Sequence, residues 1–175
     1  MSAEVIAPIV PNEVGSDRFT DFYQSEHDQQ VRRAYLLVGD QAVAHDVVAE
    51  AFTAVFKKWN AIDEPGPYLQ RCVLNGCTDV HRRGRRSELM ADPSLARPEG
   101  EPTSPEPTLS DDADAMAELL LELPFRQRAA LVLRFYGGQS EAEIADVLDC
   151  RPGTVGSLIH RALKALRTTL EGEGQ

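Results

Sequence analysis

Residues 140–161 constrain this chain more than any other stretch. Ser140-Glu141-Ala142-Glu143 opens a helix as a capping box: the Ser140 hydroxyl accepts from the Glu143 amide and the Glu143 carboxylate reaches back. Leu148-Asp149-Cys150-Arg151 reads as a tight turn. Pro152 suits a first helical position, where its missing N–H costs nothing. A short helix, a three- to four-residue turn and a second helix make a helix-turn-helix, whose second helix enters the DNA major groove. That implies nucleic acid, in a chain whose net charge of −10 argues against it.

The conflict resolves by segment. Residues 1–86 carry a net of −2, residues 87–118 a net of −8 and residues 119–175 a net of zero. The acidity is concentrated in the middle, so the flanking parts can present basic patches, and local fields decide DNA contact more than total charge. Overall acidity still implies weak DNA binding by the chain alone, because few phosphates would be neutralised.

Hydrophobic content of 42% supports globular cores, and no apolar run is long enough to span a bilayer. The first fifteen residues lack the basic start and continuous apolar core of a signal peptide, which implies a flexible tail and a cytoplasmic protein with no membrane insertion. Cys72, Cys77 and Cys150 lack metal-type spacing and read as structural thiols. His27, His45, His81 and His160 are scattered. With no nucleophile motif, phosphate loop or paired catalytic carboxylates, the chain is not expected to be an enzyme, nor to need a metal or cofactor.

Helical spacing recurs along the chain. Phe19, Phe22, Tyr23, Ala34, Tyr35 and Val38 mark a first helix, with Gly39 past its end and Asp40 as the next N-cap. Val48, Phe52, Val55 and Trp59 line one face of a second helix over 42–59, leaving Asp46, Glu50 and Lys57 on other faces. Residues 60–67, with two prolines and a glycine, read as a loop. A third helix over 68–83 ends in His81-Arg82-Arg83-Gly84-Arg85-Arg86, the densest positive charge in the chain.

Residues 87–112 are rich in proline and acid and cannot bury enough surface to offset the entropy of ordering. Their length implies a flexible linker between two domains. Beyond it, 113–123 reads as a short helix. Pro124 opens another, through Ala129, Val132, Phe135 and Tyr136 to Gly137-Gly138. In the final helix Val155, Ile159, Ala162 and Leu166 face the core. The expected fold is all-α: a flexible tail (1–16), a helical domain (17–86), an acidic linker (87–112) and a helix-turn-helix domain (113–172).

The residues then match a family. Ala44-His45-Asp46-Val47-Val48-Ala49-Glu50-Ala51-Phe52 resembles region 2.2 of the sigma-70 family of bacterial RNA polymerase subunits. Tyr68-Leu69-Gln70-Arg71 through Asn75 to Asp79-Val80-His81-Arg82-Arg83 resembles regions 2.3 and 2.4, and Leu123-Pro124-Phe125-Arg126-Gln127-Arg128 the start of region 4. Residues 140–162 resemble the helix-turn-helix of the small extracytoplasmic-function branch, actinobacterial-like. The blocks occur in the family's order, across an acidic linker.

The resemblance implies a sigma factor without nucleotide-transfer activity of its own. Its first domain would bind the clamp helices of core RNA polymerase and recognise and melt the minus-ten element of promoter DNA. Its second would read the minus-thirty-five element and meet the polymerase flap, and an anti-sigma factor is a further possible partner. Asp46, Glu50 and Lys57 are the implied polymerase contacts; alone, Asp46 and Glu50 also fit an ordinary solvated face. Ala49 stands where the family usually has glutamine.

Arg71, Asn75, Asp79, Arg82, Arg83, Arg85 and Arg86 are the implied minus-ten residues. The four terminal arginines suit phosphates, and equally the end of a helix dipole. Asn75 matches the position from which a flipped base is captured, whereas Asn75-Gly76 alone could mark a helix break. Trp59 reads as core. Arg151, Thr154, Ser157, Leu158, Arg161 and Lys164 are the implied minus-thirty-five residues. Gly156 and Leu158 replace a common lysine and arginine, and Leu158 suits either a thymine methyl or a wider core face. A stand-alone helix-turn-helix regulator is the alternative, but it would leave the Asp46–Glu50 helix and the arginine block unexplained and would normally dimerise on a palindrome. A degenerate sigma factor acting as an interaction protein is another.

Overall fold

The computed structural model describes residues 13–90 and 111–172, and side-chain surroundings for 17–86 and 114–172. Every element among the described residues is helical. The first domain holds α1 (Glu13–Val38), α2 (Gln41–Lys57), a 3-10 turn (Trp59–Ala61) and α3 (Pro65–Met90). The second holds α4 (Asp111–Leu121), α5 (Phe125–Leu131), a π-helical turn (Val132–Tyr136), α6 (Glu141–Leu148) and α7 (Pro152–Gly172).

Local chemistry sets the boundaries. Gly39 ends α1 with a φ of 75°, in the left-handed region that glycine tolerates, and its N–H donates to the Tyr35 carbonyl at 2.7 Å. Asp40 then caps α2, its side chain accepting from the Val43 amide at 2.9 Å. The expected loop over 60–67 is shorter than its composition suggested, because α3 begins at Pro65. Pro65 and Pro67 both fall in the first turn, where amides have no intrahelical acceptor. Helix α1 begins inside the expected tail, at Glu13, and α3 runs into the expected linker as far as Met90. The remaining tail (1–12) and linker (91–110) lie outside the described residues.

The first domain packs α1, α2 and α3 around Ala34, Val48, Val55 and Leu69, all fully buried. Phe19, Phe22, Phe52, Phe56 and Trp59 form an aromatic cluster beside that core, with Phe19 edge-on to Trp59 at 5.2 Å. Trp59 sits after α2 rather than in it, yet packs half-buried against the core as its spacing implied. In the second domain Ala129, Val132, Ile144, Val155 and Ala162 are fully buried.

One expected helix is corrected. The stretch through Phe135 and Tyr136 is not an α-helix but widens into the π turn. Val132 stays buried, while Phe135 is 63% exposed. Two glycines close the turn: a Cβ on Gly137 would lie 2.3 Å from the Leu133 carbonyl oxygen, and Gly138 has a φ of 63°. The domains are not merely tethered either. Helix α1 packs on α4, α5 and the π turn, and α3 packs on α5 and α6.

Candidate polymerase and nucleic-acid interface

The implied minus-ten residues form one stripe. Arg71, Asn75, Asp79, Arg82 and Arg86 recur at helical spacing along α3, opposite buried Leu69, Val73 and Cys77. Arg83 and Arg85 flank the stripe. Arg71, Asn75 and the four terminal arginines are exposed. Asp79 is half-buried and its Oδ1 accepts from Arg82 Nη2 at 2.9 Å, so one positive charge is met within the helix.

Asn75-Gly76 marks no helix break, since α3 is continuous through it. Gly76 is there for packing: a Cβ would lie 2.7 Å from Val47 Cγ1 where α3 crosses α2. The crossing leaves the neighbouring Asn75 side chain exposed.

The recognition helix α7 divides as its spacing implied, with one exception. Thr154, Ser157, Arg161 and Lys164 are exposed along one face, and Arg151 is exposed just before the helix. Ser157 Oγ donates back to the Gly153 carbonyl at 3.1 Å, leaving its lone pairs outward. Leu158 is the exception: at 8% exposure it joins the core and is not a base contact. It lies one turn from Val155 and Ala162, and burying its side chain outweighs holding it out to DNA. The capping box at Ser140 is present, with its hydroxyl accepting from the Glu143 amide and the Ser140 amide donating to Glu143 at 2.7 Å. Those bonds hold the Glu143 carboxyl below its ordinary pKa. The turn closes with Asp149 left-handed at a φ of 49°, a conformation short polar side chains tolerate.

On α2, Asp46, Glu50 and Lys57 are exposed. Glu50 and Lys57 line a shallow groove with Thr53, Lys58 and Tyr68, and Lys58 Nζ lies 5.7 Å from the Tyr68 ring. Asp46 stands one turn beyond Glu50 and outside that groove. A second groove, on the far domain, is apolar and was not legible in the sequence. Met116, Leu120, Phe135, Tyr136, Leu163 and Leu166 line it, with Phe135 and Tyr136 contributed by the π turn.

The cysteines are free thiols. Burial pushes the Cys77 thiol up to about 12, making it inert. No group of three His, Cys, Asp or Glu side chains among the described residues is placed to hold a metal ion. No described helix is long and apolar enough to cross a membrane.

Comparison with known proteins agrees with this geometry. Residues 22–87 match the family model of sigma-70 region 2, and residues 113–166 match that of sigma-70 region 4. The RNA polymerase sigma-E factor of Streptomyces coelicolor is 30% identical over 155 residues, covering 87% of this chain and 85% of that protein. The ECF RNA polymerase sigma factor SigL of Mycobacterium tuberculosis is 30% identical over 147 residues, covering 82% and 83%. In fold, the chain resembles the sigma factor RpoE of Bartonella quintana, solved with the anti-sigma factor NepR: the TM-score is 0.66 at 22% identity, covering 87% of this chain and 98% of that one. The stand-alone regulator is not favoured, because it gives the region 2 domain nothing to do. Two exposed charged faces, one on each matched region, therefore belong to one kind of molecule: the chain is a member of the sigma-70 family, in its extracytoplasmic-function branch, a sigma factor that binds core RNA polymerase and promoter DNA and directs promoter-specific transcription initiation.

Proposed function

We propose that the work of initiation is divided among three surfaces of this chain. Asp46, Glu50 and Lys57 on α2 meet the polymerase clamp helices, with charge complementarity choosing the partner. Arg71, Asn75, Asp79, Arg82, Arg83, Arg85 and Arg86 on α3 track the minus-ten strand as it melts. Arg151, Thr154, Ser157, Arg161 and Lys164 read the minus-thirty-five element. The observation that carries this is the unbroken α3 stripe, which pairs exposed Asn75 with exposed arginines on one helix face. Arginines neutralise phosphates, and the asparagine can hydrogen-bond a base only when it leaves the stack.

The apolar groove beside Phe135 suits a helical element of the polymerase flap. The chain has no catalytic part; nucleotide transfer stays with core polymerase. It acts in the cytoplasm, where promoter and polymerase are. An anti-sigma factor is a fitting regulator, since the structurally similar RpoE was solved with one.

Asn75→Ala and Arg161→Ala test the division. Arg161→Ala should weaken closed-complex binding on promoters with an intact minus-thirty-five element, by about 1–3 kcal/mol if it reads a base. Asn75→Ala should slow bubble formation, read by permanganate footprinting, and leave initial binding unchanged. Equal loss of binding and melting for Asn75→Ala would assign that residue to the fold instead.

A further inference from the structure

We propose that Glu141, the first residue of α6, sets a negative charge against the flank of α7 and thereby weakens the hold of the helix-turn-helix on DNA phosphates. Binding at the minus-thirty-five element is then opposed by a carboxylate of this chain, beyond being short of cations. The inference deepens the reading of α7 as the minus-thirty-five helix and rests on it.

The α6 helix packs on α7. Glu141 shares the α6 face of Ile144, Ala145 and Leu148, which are buried, but it stands at the open end of that face and is exposed. Its carboxylate reaches across to Gly156. A Cβ on Gly156 would lie 3.5 Å from Glu141 Oε2 and 3.7 Å from Oε1. The carboxylate thus touches the point where a side chain at 156 would begin, and the family commonly has lysine there. Among the described residues the ion pairs are His27–Asp28 and Asp79–Arg82, so no cation there neutralises Glu141.

Position decides what this charge meets. An α-helix is about 10–12 Å across and the major groove about 12 Å wide. Residues at the middle of the helix's exposed face therefore meet base edges, and residues about 90° to either side meet the phosphate walls. Thr154, Ser157 and Arg161 are exposed at the middle of that face. Gly156 is half-buried and stands about 100° round the helix from Ser157, on one flank. The Glu141 carboxylate beside it faces phosphate. Leu158 holds the opposite flank and is buried. Neither flank of this turn offers a phosphate a cation, and one of them offers it a carboxylate.

The start of α6 does not make up the loss. Free amides at a helix N-terminus attract phosphate, but here the Ser140 hydroxyl accepts from the Glu143 amide at 3.3 Å and the Glu143 carboxylate accepts from the Ser140 amide at 2.7 Å. Glu141 and Glu143 both lie in the first turn, where negative charge suits the helix dipole. Glu141 therefore supports the helix and opposes the DNA. A unit charge several ångströms from a phosphate in water changes binding about three-fold, and less as salt rises. Arg151, Arg161 and Lys164 still attract, so the carboxylate trims affinity without abolishing it.

The test is DNA binding across a range of salt, by the full chain on a random-sequence duplex and by the holoenzyme on a promoter it serves. Glu141→Gln should tighten duplex binding about three-fold at low salt. Glu141→Lys should tighten it about ten-fold, with a salt slope steeper by about one. Closed complexes of the holoenzyme should tighten in the same order, with the preference among minus-thirty-five base pairs unchanged. Asp146→Asn removes the same charge from an exposed position elsewhere on α6 and should change binding far less. Should Glu141→Lys lose helicity by circular dichroism, Glu141→Gln carries the test alone. Unchanged affinity in the Glu141 variants, or an equal gain in Asp146→Asn, overturns the proposal. So does a loss of binding confined to one base pair, which would make Glu141 the reader of a base amino group. A wild-type holoenzyme without promoter-dependent start sites overturns the sigma-factor reading, while the duplex measurements still decide whether Glu141 opposes DNA.

Discussion

The two domains reach the same end by different means. The first is built from helices of 26, 17 and 26 residues that bury long apolar faces against one another. The second uses helices of 11, 7 and 8 residues before the long α7. Helices that short are marginal alone, so the ends have to be fixed one by one: a capping box at Ser140, a left-handed Asp149, and glycines closing the π turn. The first domain is therefore sensitive in its interior, and the second at its helix ends.

The largest break is expected at the polymerase surface, away from both cores. Asp46→Lys/Glu50→Lys should abolish co-purification with core polymerase and leave the circular dichroism unchanged, because both side chains are exposed. Co-purification at the wild-type level would remove the acidic patch from the interface.

Within the first domain, Gly76→Ala should destabilise by about 1–3 kcal/mol in urea titration, because the added methyl must displace Val47 at the α2–α3 crossing. Within the second, Ser140→Ala should cost about 1 kcal/mol. It should also remove a pH dependence. The Glu143 carboxyl is held below its ordinary pKa by Ser140, so its contribution is complete above the unfolded value and is lost as pH falls through the lowered one. Thermal melts carried down through and below the ordinary glutamate pKa should show that loss in the wild type and a flatter profile in Ser140→Ala.

The smallest effect has the opposite sign. Gly156 has an ordinary helical backbone, and a Cβ there would meet only the Glu141 carboxylate at 3.5 Å. Gly156→Ala should raise stability by about 0.5–1 kcal/mol, since the substitution removes backbone freedom from the unfolded chain. Two mid-helix glycines thus distinguish the domains: one is required by a close approach, the other would admit a methyl group at ordinary contact distance. A destabilising Gly156→Ala would show that α7 is more tightly seated than its exposure implies.

Much of this was legible in the residues. The capping box, the Asp40 cap, the Gly39 stop and the core faces of α2 and α7 follow from local chemistry, and local chemistry does not depend on distant partners. The exposed face of α7 was legible for the same reason, apart from Leu158, which lies at the border between core and solvent faces, whereas Arg71, Asn75 and Asp79 on α3 were singled out by the family resemblance and not by spacing. The π turn was not legible, because Val132, Phe135 and Tyr136 keep helical spacing while the backbone departs from it. The contact between domains was missed altogether. Its trace was present: Arg33 shares a helical face with Gln30, Ala34 and Leu37, and Arg128 sits beside Phe125, Ala129 and Val132. An arginine inside an apolar stripe signals a polar partner from another element, but periodicity does not say which one.

Run-off transcription with purified core polymerase, with and without this chain, across a pool of promoter fragments tests the central claim most directly. Discrete start sites should appear only when the chain is present, and disappear with Asp46→Lys/Glu50→Lys. Start sites that do not depend on the chain, or operator binding that proceeds equally without polymerase, would contradict it.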